Sequence, residues 1–286
     1  CSFKESLKHI AEDMGLRDTE DGERNEWRVD ASSLQTYGSS GQRTSIQVRR
    51  ADFTKKDAEY LQRHGISRKT AEKFWCYGLD HIWVNGNHIW MRNPQRPAIG
   101  YYFGTDEDGV QHWKIYFYED ENDRFLCNTG RIQGWPQLPE TGTTVVITKS
   151  LKDVMALDSF GVPAIAPQGE TIKPPTEKIE QLKDRFNTVL SLYDFDYAGI
   201  SMAGFLKREH GIEPLFFTDG RFGTTDYGAK DFSDYVKGFG RQATYDLIGY
   251  VRRHYLENPI DTTSLHGKPE LQNSELLSRE VNRMDA

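Results

Sequence analysis

Val189-Leu190-Ser191-Leu192-Tyr193-Asp194-Phe195-Asp196-Tyr197-Ala198-Gly199 is the stretch on which the fold of this chain turns. A mainly apolar run leads into two carboxylates one residue apart, then a glycine, then a helical pattern. Such a run reads as a buried strand, which puts Asp194 and Asp196 at its carboxyl end. That edge is where open α/β sheets bind ligands. Two acids at this spacing can both reach a hard cation through oxygen, as Mg²⁺ is held where phosphoryl groups are transferred. A D-x-D alone fits a solvated turn equally well, so its neighbours decide.

Working outward, Thr143-Thr144-Val145-Val146-Ile147-Thr148 is a second β-branched run, followed by helical spacing from Lys149 through Asp153 to Leu157. Pro163-Ala164-Ile165-Ala166-Pro167 predicts a third strand, closed by Gln168-Gly169-Glu170-Thr171. A helix is expected over 175–185, another over 200–210, and a fourth strand at Glu213-Pro214-Leu215-Phe216-Phe217. Gly228-Ala229-Lys230-Asp231-Phe232-Ser233-Asp234 then reads as a loop entering a helix. Strands alternating with helices of this length predict an α/β fold with a parallel sheet flanked by helices.

This segment resembles a TOPRIM domain, the metal-binding module shared by primases, topoisomerases and some nucleases. The resemblance rests on Asp153 on the helix after the first strand, on Asp194 and Asp196, and on Lys230-Asp231 with Asp234. It covers about a third of the chain. It implies that Asp194, Asp196, Asp231 and Asp234 are metal ligands, that the cofactor is Mg²⁺ (or Mn²⁺), and that Lys230 offsets phosphate charge. One position departs from the pattern: the first-strand glutamate of the family falls on Lys149, and the glycine after it on Ser150. A charged lysine cannot ligate a metal. Glu170, at the end of the strand expected beside that of Lys149, is the candidate replacement carboxylate, with Lys149 on phosphate. Asp153 either supports the ligands or answers the dipole of its own helix.

The 286 residues suffice for one large or two ordinary domains. A hydrophobic share of 37% and a charged share of 28% fit a globular chain with a polar surface. No apolar run is long enough to span a membrane, and no signal peptide is visible. Three scattered cysteines give no disulfide framework, which points to a reducing cytoplasm. The net charge of −7 argues against coating nucleic acid through bulk positive charge, although a local basic stripe beside an acidic metal site remains compatible with it.

Before the TOPRIM-like segment, the chain opens on helical spacing at Phe3, Leu7, Ile10, Ala11 and Met14, then turns polar over 17–45. A start at Cys1 with no Met is the mark of a fragment or processed chain. Cys1-Ser2-Phe3 resembles the junction after a primase zinc ribbon, so zinc would enter only through a ribbon outside these residues. Arg43, Arg49, Arg50, Lys55 and Lys56 form a basic cluster. Capped helices are expected at 54–64 and 68–77, a pair that resembles the region ahead of the catalytic domain in phage primases and primase-helicases. An antiparallel meander over 80–140 follows. There Arg92, Lys114, Arg124 and Arg131, interleaved with Trp90, Trp113, Tyr116 and Trp135, could line a template groove by phosphate contact and base stacking. Lys114 stands out because it interrupts an apolar strand. Most of the aromatics read as core. After the TOPRIM-like part, a helix over 242–255 precedes a polar tail.

The resulting division is 1–44 helix and linker, 45–140 α+β subdomain, 141–238 TOPRIM-like domain and 239–286 helix and tail. The resemblance implies a DNA primase core making RNA primers on a single-stranded DNA template from nucleoside triphosphates. A replicative helicase is the expected partner, though no Walker motif occurs here. Two rival readings are a TOPRIM-type nuclease and an altered module that binds single-stranded DNA or a helicase.

Overall fold

The structure, a computed structural model, describes residues 44–194, 196–215, 229 and 231–251, all within one compact unit, Leu34–Ala286. The expected N-terminal helix, the linker with Arg43, Lys230, the Phe216-Phe217 end of the fourth strand and the C-terminal tail lie outside the described residues.

The first half is a six-stranded antiparallel sheet. It contains β1 (Ile46–Ala51), β2 (Cys76–Val84), β3 (Asn87–Met91), β4 (Ile99–Thr105), β5 (Gln111–Tyr116) and β6 (Phe125–Cys127) in the order β1-β2-β4-β5-β6, with β3 beside β2. Between β1 and β2 come α1 (Lys55–Arg63) and α2 (Arg68–Lys73). Thr54 starts α1 with a capping box, its hydroxyl accepting from Asp57 N while the Asp57 carboxylate accepts from Thr54 N. The expected meander is present, but β1 and β2 are additions. The basic reading of Arg49 and Arg50 hid the alternation of Ile46 and Val48, whose side chains face the sheet core. The second helix is also shorter than expected over 68–77. Trp75 takes a left-handed φ of 52° and Cys76 already begins a strand, because β2 gains pairing with β1, β3 and β4. Asn85 and Gly86, both at positive φ, make the tight β2–β3 turn.

The second half holds a four-stranded parallel sheet of β7 (Gly142–Ile147), β8 (Ala164–Ile165), β9 (Phe186–Leu192) and β10 (Glu213–Leu215), ordered β10-β9-β7-β8. Its helices are α3 (Leu151–Asp158), α4 (Thr176–Arg185), α5 (Tyr197–His210) and α6 (Phe232–Val251). The fold class expected from the sequence is the one found. Helix α6 runs across the expected break, with a non-helical Gly240 marking where two helices join.

Side-chain alternation in the parallel strands sends Val146, Ala164 and Leu192 to one face and Val145, Ile147 and Ile165 to the other. Helices α3 and α6 cover the first face through Val154, Met155, Phe232 and Val236. Helices α4 and α5 cover the second through Ile179, Leu182, Met202 and Leu206. The first face is shared: Tyr60, Phe74, Ile99 and Tyr101 of the antiparallel half pack into that same core. After β7 the chain moves to one face of the sheet, and after β9 to the other. The β7–β9 boundary is therefore a topological switch point, where the diverging loops open a crevice at the carboxyl edge.

Candidate metal centre

Three neighbouring strands deliver their next side chains to that crevice. Lys149 follows β7, Glu170 follows β8, and Asp194 and Asp196 follow β9. One oxygen from each of Glu170, Asp194 and Asp196 lies within 4.8 Å of the others. These are hard oxygen donors, the set that suits a hard divalent cation, and their spacing leaves room for one ion between them. Asp196 has two duties. Its Oδ1 accepts from Gly199 N at 3.0 Å as the N-cap of α5, and a carboxylate has the lone pairs to cap a helix and still face a cation.

The Lys149 ammonium pairs with Asp194 Oδ1 and lies 3.2 Å from Asp231 Oδ2. Lys152 reaches the same Asp231 oxygen at 3.4 Å and Asp234 Oδ1 at 3.9 Å. Burial by itself would lower the Lys149 amine, but Asp153, Asp231 and Asp194 outweigh it and hold the group above the ordinary lysine value. Burial would likewise raise Asp231, yet Lys152 and Lys149 hold it below the ordinary carboxylate value. Asp153 goes the other way. Burial first, and then the Asp231 charge, push it up to about 6.

The site residues expected from the sequence therefore divide. Glu170, Asp194 and Asp196 come together. Asp231 and Asp234 do not join that group. Asp231 Oδ1 accepts from Ser233 Oγ at 2.7 Å and from Asp234 N at 2.8 Å, at the start of α6, and its other oxygen faces the two lysines. Asp153 is fully buried, accepting from Ser150 Oγ at 2.6 Å and from Ser233 N at 3.3 Å, and so ties the start of α3 to the start of α6.

The expected nucleic-acid contacts also divide. Arg92 donates to the main-chain oxygens of Leu79 and Asp52 and braces the first sheet. Lys114 is 5% exposed and donates inward to Gln168 O at 2.7 Å, so its ammonium faces the protein interior. Arg124 and Arg131 are exposed, the latter also donating to Phe103 O at 2.6 Å.

Sequence reasoning gave Lys152 no role. The signal was present, however. A lysine in the first turn of a helix opposes the positive end of the helix dipole, an unfavourable placement that a nearby anion offsets.

Gly199 shows how tightly Asp194 is seated. A Cβ built there would lie 2.1 Å from Asp194 O and 2.9 Å from Asp194 N. Gly199→Ala must therefore displace the D-x-D turn. The expected result is a loss of about 1–3 kcal/mol of stability together with weakened Mn²⁺ binding, read by urea unfolding and metal titration. Unchanged values in both would contradict the seating.

The carboxyl edge of this parallel sheet thus carries a cluster of three carboxylates beside the Lys149 ammonium, an arrangement compatible with binding a divalent cation. No family model matches the sequence, and no curated protein matches it. Among solved structures, the chain is similar to the Aquifex aeolicus primase zinc-binding and RNA polymerase domains at 16% identity. That match has a TM-score of 0.46 and covers 71% of this chain and 60% of that one. It is similar to the E. coli primase catalytic core at 15% identity and a TM-score of 0.45, covering 79% of this chain and 88% of that one. It is also similar to the primase fragment of the bacteriophage T7 primase-helicase protein at 14% identity and a TM-score of 0.42, covering 68% and 77%. Among the described residues, no helix is long and apolar enough to cross a membrane.

Proposed function

We propose that this chain is the catalytic core of a TOPRIM-type DNA primase, a nucleotidyltransferase that makes RNA primers on a single-stranded DNA template with Mg²⁺ or Mn²⁺. The observation that carries the reading is the convergence of Glu170, Asp194 and Asp196 within 4.8 Å at the switch point of a parallel sheet. The donor set fits a hard divalent cation, held by these three carboxylates. Such an ion, when bound, would neutralise triphosphate charge and make the attacking 3′ hydroxyl more acidic.

The chain's own residues then have distinct duties. Asp194 and Asp196, at the end of β9, would hold the cation together with Glu170, which follows β8 and would stand in for the family glutamate. Lys149 pairs with the Asp194 carboxylate at the crevice, and its charge is placed to meet a phosphate there. Lys152 neutralises Asp231 and Asp234, which keeps the start of α6 anchored beside the site. The nucleoside triphosphates, the DNA template and a replicative helicase partner belong to this proposal.

The test supplies single-stranded DNA and the four ribonucleoside triphosphates with Mg²⁺ or Mn²⁺. Short template-dependent RNA products that vanish on chelation are expected. Cleavage of the DNA without nucleotides would favour a nuclease instead. The Lys149–Asp194 pair supports a second reading, a module with altered catalysis that binds single-stranded DNA or a helicase; chelator-insensitive binding without synthesis is its signature.

Arg124 and Arg131 remain the proposed phosphate-binding side chains. Converting either to alanine should weaken single-stranded DNA binding across all sequences. The salt dependence, plotted as log K against log salt, should become shallower by about 0.7 for each phosphate no longer neutralised. An unaltered slope in both variants would remove this face from the template path.

A further inference from the structure

Behind Glu170 the chain over 166–170 is held by the antiparallel half. Gln133 and Ala166 exchange main-chain hydrogen bonds at 2.8 and 3.0 Å, and Gln133 Nε2 donates to Pro167 O. Gln168 Nε2 donates to Arg131 O at 2.6 Å, and Cys127 Sγ lies 3.8 Å from Gln168 Oε1. The charged member of this set is Lys114. From the middle of β5, opposite Cys127 on β6, it sends Nζ to Gln168 O at 2.7 Å, with the Phe125 ring centroid 4.7 Å from the same nitrogen.

Taking an ammonium out of water is costly unless its hydrogens are bound. Methionine would fill this strand position without that cost. What lysine adds is therefore the bond to Gln168 O, two residues before Glu170. A main-chain oxygen fixed there sets the direction in which the next side chains leave the loop. Groups that hold a ligand in place, without touching the metal, commonly govern metal affinity by about 10–100-fold.

We infer that Lys114 is a positioning residue for the metal centre: by donating to Gln168 O it fixes the loop that presents Glu170, so the antiparallel sheet sets the affinity of a site built on the parallel one. The inference rests on the reading of Glu170, Asp194 and Asp196 as cation ligands. Burial pushes the Lys114 amine down to about 8. Ammonium and neutral amine both donate, so the clamp persists on either side of that pH, whereas a phosphate contact would not.

The test compares the full chain with its Lys114→Met, Lys114→Gln and Lys114→Arg variants in Mn²⁺ titrations followed by electron paramagnetic resonance. The Met and Gln variants should bind Mn²⁺ on the order of 10–100-fold more weakly, and the Arg variant, which keeps a donor, should recover most of the affinity. The salt slope of DNA binding should be the same in all four proteins. Wild-type Mn²⁺ affinity in a folded Lys114→Met protein overturns the inference, as does a shallower salt slope with Mn²⁺ affinity intact. If Lys114→Met does not fold, the Gln variant, polar but shorter, carries the same comparison. Should the unaltered chain itself not retain Mn²⁺, the metal-centre reading fails. Hydrogen exchange at the amides of 168–172 then judges the clamp alone: faster exchange in the Met variant upholds it, and unchanged exchange rejects it.

Discussion

Replacing Asp194 by alanine is expected to lower metal-dependent primer synthesis by on the order of 10³-fold, equivalent to about 4 kcal/mol of transition-state stabilisation. The carboxylate is 1% exposed, sits at the end of β9 and joins Glu170 and Asp196 around one point. Its removal takes away the donor nearest the centre of the sheet. The fold should survive, because Lys149 keeps Asp231 at 3.2 Å as a partner. Asp196 calls for a different substitution. It also caps α5, and alanine there would cost about 1 kcal/mol of helix stability in addition to any catalytic loss. Asparagine caps as well as aspartate but carries no charge, so Asp196→Asn separates the two duties. Assays of primer length and yield, with circular dichroism to confirm folding, decide the matter. Asp194→Ala protein that primes at the wild-type rate would end the proposed mechanism.

The second large effect is expected at Lys149. Lys149→Met leaves the Asp194 and Asp231 carboxylates buried without the ammonium that lies between them. Removing one member of a buried ion cluster costs about 3–5 kcal/mol, which urea unfolding in the absence of divalent ions should register. Two features identify the cause as charge rather than packing. Mg²⁺ should restore stability to the variant more than it stabilises the unaltered protein, because ligand binding adds stability in proportion to RT ln(1 + [L]/Kd).

The deficit should also shrink in acid, and the sign follows from Asp231. Its folded-state value is depressed by Lys152 and Lys149 against the opposing effect of burial. The stability it contributes is present above the ordinary carboxylate pKa of about 3.8 and is lost as pH falls through the folded value. Without Lys149 there is less to lose, so the two proteins should begin to converge as pH falls below about 4 and meet only well below it, where Asp231 itself is protonated in the folded state. Lys149→Glu, which puts a fourth carboxylate into the crevice, should make stability depend still more strongly on Mg²⁺. Equal unfolding curves with and without Mg²⁺ for both variants would show that this crevice does not gather an ion.

Local pattern carried most of the second half of the molecule. The β-branched run at Thr143–Thr148 and the apolar run into Asp194 became β7 and β9, and the helices between them fell within a few residues of their expected limits. Periodicity decides such elements because each buries one face wherever it is finally placed. The first half was less legible. The strand at Ile46–Ala51 presents Arg49 and Arg50 outward, to Asp80 and to the rings of Tyr77, Tyr102 and Trp113, and in sequence those arginines read as a basic patch. The helix expected over 68–77 stops early because pairing with three other strands outweighs a weak helical tendency.

By itself the sequence determined the alternation of strand and helix in the second half. It also determined that the carboxylates fall at strand ends and that a lysine stands where the resembling family has a glutamate. These are matters of order and period along one chain. Only the tertiary structure decided that β9 pairs with β7 on the side away from β8. That pairing gathers Glu170, Asp194 and Asp196, while Asp231 and Asp234 answer Lys149 and Lys152 instead. The structure alone also turned Lys114 inward to Gln168, away from any solvent-facing groove. Strand order and the reach of a buried amine depend on contacts between distant residues, and no local period encodes them.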